Sequence, residues 1–122
     1  MAKGLRLEDL AVYKSAMEIG DLVWNIVINW EYFAKKTLGA QMVDAADSIA
    51  LNIAEGYGRF HFKENKKFCY YSRGSAKETL GALQKAKTRN LITEKEFKLL
   101  NKKLDLYFRL MFGYINAIGT TN

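Results

Sequence analysis

Apolar positions recur at helical spacing along nearly the whole chain. Near the start, Val12, Ala16, Ile19, Val23, Ile26 and Trp30 step 4-3-4-3-4, the rhythm of a helix–helix seam. A second apolar series, Leu10, Tyr13, Met17, Trp24 and Val27, lies about 110° around the same helix. Lys14, Glu18, Asp21, Asn25 and Asn29 fill the opposite arc. These positions predict a first helix from Leu7 or Asp9 to Trp30, with two apolar seams where a bundle core needs one.

Met42, Ala46, Ile49 and Ile53 draw the stripe of a second helix, Leu38 to Ala54 or Glu55, with small Ala45, Ala50 and Ala54 beside it. Gln41, Asp44, Ser48 and Glu55 share its other face, and Asp47 sits at the edge. Gly56 and Gly58 predict its stop, through the left-handed cap that glycine adopts cheaply. A third helix, Lys63 to Arg89, turns Phe62, Cys69, Ala76, Leu80 and Leu83 inward. A fourth opens with the capping box Thr93-x-x-Glu96, stapled by Ile92 and Phe97. Its seam is Leu100, Leu104, Tyr107, Met111, Tyr114 and Ile118, and from Leu106 onward only Arg109 is charged, which predicts a helix end buried on every side.

The intervening turns, 31–37, 57–62 and 90–93, are short, so consecutive helices become antiparallel neighbours. The expected fold is all-α, one up-down-up-down antiparallel four-helix bundle spanning residues 1–122. Composition agrees. The chain has no proline, where a usual content of about 5% would give about six. One Cys and one His exclude an internal disulfide scaffold and a Cys/His zinc site within one chain. Met1-Ala2-Lys3-Gly4-Leu5 has no signal-peptide layout. Uncharged stretches such as Leu22 to Trp30 fall far short of the ~20 residues that cross a bilayer. A cytoplasmic protein with no membrane association is expected.

The first and last helices offer more apolar surface than one bundle needs. Trp30, Phe112 and the seam residues Val12, Ile19, Val23 and Ile26 predict a surface where copies of the chain meet, hence a homo-oligomer. The net charge of +6 is local: residues 61–92 carry eight basic and two acidic residues, whereas residues 41–60 carry one and three. On the third helix Lys63, Lys66, Lys67, Arg73, Lys77 and Lys85 fall in one arc with Tyr70 in its middle. Cations with an aromatic among them match the phosphates and bases of RNA or DNA. A solvated lysine face, or pairing with the acidic face of helix two in the same or the next subunit, are the other readings of that arc. Gly74 and Gly81 lie one heptad apart on it and each costs about 0.5–1 kcal/mol against alanine, which points to close approach by a neighbouring helix or a ligand.

No catalytic constellation emerges. Asp44 and Glu55 are too far apart on one helix to share a metal or act as an acid/base pair, His61 stands between Phe60 and Phe62, and Cys69 reads as a small core residue. There is no phosphate-binding GxxxxGK[ST] loop and no GxSxG elbow. Neither an enzymatic activity nor a cofactor or metal is expected.

The run Ser48-Ile-Ala-Leu-Asn52-Ile-Ala-Glu55-Gly56-Tyr-Gly58-Arg59 resembles the signature of the 23S rRNA intervening-sequence protein family, bacterial four-helix-bundle proteins. Leu7-Glu8-Asp9-Leu10-Ala-Val-Tyr13, Gln41 with Ala45-Ala46, and Gly74-Ser75-x-x-Glu78 extend the likeness over most of the chain. The resemblance implies a ring-like homopentamer and kinship with accessory proteins of reverse transcriptases. It implies no established biochemical role. Asn52, Glu55, Gly56, Gly58 and Arg59 match the signature, and their expected use is structural: Gly56 ends helix two while Asn52 and Glu55 bond the turn or Arg59. The chain departs from the family at Asp44, where a basic residue is common. The expected function is a non-enzymatic homo-oligomer that binds RNA or DNA phosphates through helix three; the alternative is an interaction scaffold or accessory subunit for a reverse transcriptase or another protein, without nucleic-acid binding of its own.

Overall fold

The computed structural model describes residues 6–119, and among them every regular element is helical. Met1–Leu5, read above for targeting signals, lie outside the described residues. The first helix starts later than its apolar rhythm suggests. Leu7–Asp9 form a 3-10 turn in which Asp9 accepts from Arg6 N at 3.2 Å, and α1 runs over Ala11–Val27. The segment 31–37, expected as a loop, is helical. Glu31 caps the turn Tyr32–Ala34 by accepting from Ala34 N at 3.3 Å, and the Thr37 hydroxyl donates to Phe33 O at 2.6 Å. That turn widens into a π-turn, Lys35–Gly39, and continues into α2, Ala40–Tyr57. With no glycine or proline between positions 31 and 38, nothing in the sequence stops the helix once Glu31 has capped it.

Gly58 closes α2 with φ −78°, in the right-handed region, so the left-handed glycine cap is not used there. Gly56 lies inside the helix. The left-handed residue comes later, at Asn90 (φ 58°), after α3 (Phe62–Thr88); there Leu91 N reaches back to Ala86 O at 2.9 Å. The capping box of α4 (Glu94–Ala117) forms as its sequence predicts: Thr93 Oγ1 accepts from Glu96 N at 3.0 Å, and Glu96 accepts from Thr93 N at 2.9 Å.

The helices pack α1 on α2, α2 on α3, α3 on α4 and α4 back on α1. Their registers run in opposite senses. Gly20 meets Asp47 while Gly39 meets Val27; Gly56 meets Asn65 while Ile49 meets Ser72; Ser72 meets Tyr107 while Lys87 lies over Phe97. This is the sense an up-down-up-down bundle requires.

The 4-3-4-3-4 seam of α1 is the core and not a docking surface. Val12, Ala16, Ile19 and Val23 are buried inside the bundle, Trp30 is buried at its end and Ile26 is half-buried. Five of the six residues expected at an interface between copies are thereby used within one chain, because α2 and α4 flank α1 and cover that seam. Phe112, 69% exposed, is the sixth and stays on the surface. The residues left outside come from the other series: Met17, Trp24 and then Ile28. The end of α4 is likewise not buried on every side, since Leu106 and Phe112 face solvent.

One polar group sits in the middle of this core. Ser72 of α3 donates to Ile49 O of α2 at 2.7 Å and accepts from the Tyr107 hydroxyl of α4 at 2.5 Å. Burial drives the Tyr107 hydroxyl well above its ordinary pKa, so it remains a neutral donor. Three helices are tied at one level, and the arrangement satisfies both buried hydroxyls.

Candidate nucleic-acid interface

Helix α3 separates its two sides sharply. Asn65, Cys69, Ser72, Ala76, Thr79, Leu83 and Ala86 are buried. Across the helix Lys63, Lys67, Tyr70, Arg73, Lys77 and Lys85 are exposed and Lys66 is half-buried. At 100° per residue the seven positions fall within an arc of about 120°, so one helix face carries them all. Among the described residues none of the six cations enters an ion pair. Several lie against rings instead: Arg73 is 4.9 Å from the Tyr70 centroid, Lys67 is 5.6 Å from Phe68 and Lys77 is 4.5 Å from Phe108 of α4. The intramolecular pairing between this stripe and the acids of helix two does not form.

Of the two readings of Gly74 and Gly81, close approach by a neighbouring helix or by a ligand, the first does not hold within the chain. A Cβ at either position would meet nothing within 4 Å. The reason is their angle on the wheel: both point away from α2 and α4 and leave bare backbone in the basic arc.

Arg59 pairs with Glu55 at 2.8 Å, approaches Glu64 at 3.8 Å and lies 4.8 Å from the Phe68 ring, which fastens the α2–α3 turn. Asn52 donates to Ser48 O at 2.9 Å, within its own helix, and does not bond the turn. Gly56 does not end α2. It lets α3 approach: a Cβ there would stand 2.8 Å from Asn65 Oδ1 and 2.8 Å from Phe68 Cβ. Cys69 is fully buried, and burial pushes its thiol up to about 11. His61 stacks edge-on against Phe60 at 5.0 Å.

The acids gather elsewhere. Burial first, then Asp21 of α1 and Asp44 of α2, raise the pKa of Asp47. The periodicity of α2 alone could not bring in Asp21, which arrives through the α1–α2 packing. Exposed Met17 and Leu51 share one hollow with Asp21 and Asp47, and exposed Trp24 and Ile28 share a second with Asp44. The packing order sets this acidic, apolar α1–α2 side opposite the basic α3–α4 side. No group of three His, Cys, Asp or Glu among the described residues is placed to hold a metal ion, and no described helix is long and apolar enough to cross a membrane.

The family described as 23S rRNA-intervening sequence protein matches residues 8–113. Among solved structures, a protein of unknown function from the S23 ribosomal protein family of Bacteroides thetaiotaomicron VPI-5482, at 1.70 Å resolution, superposes with a TM-score of 0.77. It is 17% identical, and the match covers 86% of this chain and 98% of that one, so the likeness is one of fold. No curated protein matches the chain.

Proposed function

We propose, for a chain that belongs to the 23S rRNA-intervening sequence protein family, a non-enzymatic role: a homo-oligomeric four-helix bundle that binds RNA or DNA phosphates along α3. One observation carries the reading. Six cations share one face of α3 and have no carboxylate partner among the described residues. Unpaired surface cations in a row attract a polyanion, and the release of its counterions drives binding. Filter binding with mixed RNA and DNA at ~50 mM salt tests it. Retention that falls steeply with salt, and is abolished by changing Lys66, Lys67 and Lys77 to Glu together, supports the reading; no retention at low salt defeats it.

Self-association is proposed from the α1–α2 side, where Met17, Trp24, Ile28 and Leu51 leave apolar surface uncovered. A pentamer is the number the family resemblance implies. Light scattering should give a mass several times 14.0 kDa, and a clean monomer at ~50 µM contradicts it. The same apolar, acidic side favours a second reading, in which the bundle recruits a protein such as a reverse transcriptase and binds no nucleic acid itself. A stoichiometric partner that survives nuclease treatment, together with a negative filter assay, supports that alternative.

A further inference from the structure

We infer that the α3–α4 side selects single-stranded nucleic acid by stacking unpaired bases on Tyr70, Arg73 and Phe112. The inference rests on the phosphate-binding reading above and adds to it the class of strand. Three observations place the aromatics among the cations. Arg73 lies 4.9 Å from the Tyr70 ring, which is 48% exposed, and forms a stacked cation–aromatic pair open to solvent. Lys77 reaches 4.5 Å over Phe108, which ties the outer edge of α4 to the basic arc. Phe112 follows one turn after Phe108 and is 69% exposed.

The α3–α4 register sets the level of Phe112. A Cβ at Gly119 would lie 3.2 Å from Phe62, and Lys77 meets Phe108, so residues ascending α3 pair with residues descending α4. Phe112 falls between those two levels, and the Ser72–Tyr107 bond sets it opposite Lys67 and Phe68, within about one turn of Tyr70. Gly74 follows Arg73 directly and presents no side chain, and nothing lies within 4 Å of where its Cβ would stand. A strand can therefore lie close to the α3 backbone between Tyr70 and Lys77. Two exposed acids lie on the same side of α4: Asp105, which Arg109 one turn later offsets, and Glu94, which pairs with Lys87 at 3.6 Å.

Aromatic and guanidinium planes reward bases that can leave their stack, which a strand without a partner offers and an intact duplex does not. Every base has a π-face, so this selects single strands without selecting sequence.

The test is fluorescence anisotropy with three labelled probes of equal length: a single strand of mixed sequence, the duplex it forms, and an abasic strand with the same phosphates. About 12 nucleotides, at about 3.4 Å each when stacked, cover the basic arc, which spans about 33 Å. The expected order is single strand tightest, with abasic strand and duplex each weaker by about 10-fold or more. Tyr70→Ala with Phe112→Ala should remove most of that advantage while leaving abasic binding and its salt slope unchanged. Equal binding of all three probes overturns the stacking inference and leaves the phosphate reading intact. No binding of any probe defeats the phosphate reading itself. A double variant that folds, by circular dichroism, but changes its mass in light scattering overturns the inference in another way: the two aromatics would then be covered by a second copy, through its acidic α1–α2 side.

Discussion

Two glycines of the same chain should respond to alanine with opposite signs. At Gly56, inside α2, a Cβ would stand 2.8 Å from Asn65 Oδ1, 2.8 Å from Phe68 Cβ and 3.0 Å from Asn65 O. Two of those three atoms are close to or part of the α3 backbone, so rotation of a side-chain tip cannot relieve them and α3 must move outward. Overpacking of this kind costs about 1–3 kcal/mol, against which alanine recovers about 0.5–1 kcal/mol of helix propensity. The net expectation is a loss of about 1–2 kcal/mol. For a chain of this length, about 2.1 cal/mol/K of unfolding entropy per residue converts that to a fall in Tm of about 4–8 °C. At Gly74 a Cβ would meet nothing within 4 Å, so alanine should stabilise by about 0.5–1 kcal/mol and raise Tm by about 2–4 °C. Thermal unfolding followed by circular dichroism at 222 nm, on both variants in one buffer, measures the contrast. If Gly56→Ala stabilises as Gly74→Ala does, the close α2–α3 approach is wrong. A destabilising Gly74→Ala would show that something outside the chain covers the basic arc.

Three further outcomes follow from the same geometry. Ser72→Ala should cost about 1–3 kcal/mol because it strands the buried Tyr107 hydroxyl, and more than Tyr107→Phe, at about 1 kcal/mol, in which Ser72 keeps Ile49 O; equal costs in urea unfolding would contradict the network. Asp47 has a raised pKa in the fold, so the native state holds its proton more tightly than the unfolded chain and stability falls as pH rises through the folded pKa. Asp47→Asn should therefore stabilise at pH 7 by a few tenths of a kcal/mol, a gain that shrinks on acidification; a gain independent of pH would refute the raised pKa, and one independent of salt would refute the repulsion from Asp21 and Asp44 that adds to burial. Cys69, buried and with its thiol pushed up to about 11, should resist alkylation at pH 8 until the protein unfolds; fast modification of the native protein would place it elsewhere.

Periodicity located four helices and the seam of α4, because each apolar series there has one sensible inward direction. It could not choose between the two series of α1. Both are apolar and helical in spacing, and the choice belongs to α2 and α4, which lie on either side of Val12, Ile19 and Val23. The helical lead-in to α2 is hard to read because its cap, Glu31, acts three residues ahead on Ala34, and only Ala34 and Leu38 extend the Met42 stripe into it. Capping was legible where it used a paired motif, Thr93 and Glu96, and misread at Gly56, where glycine provides space and not a left-handed turn. The basic arc was fully legible, since one helix supplies all of it. What one helix cannot announce are its cross-helix companions: Phe108 and Phe112 beside the arc, and Asp21 beside Asp44 and Asp47 on the opposite side.

If the unpaired cations of α3 hold phosphates, the salt dependence of single-strand binding must show it. With each neutralised phosphate contributing about −0.7 to the slope of log K against log salt, six cations predict a slope near −4. Changing Lys66, Lys67 and Lys77 to Glu should bring binding below detection at all but the lowest salt. A slope near zero, or unchanged binding after those three reversals, would contradict the account.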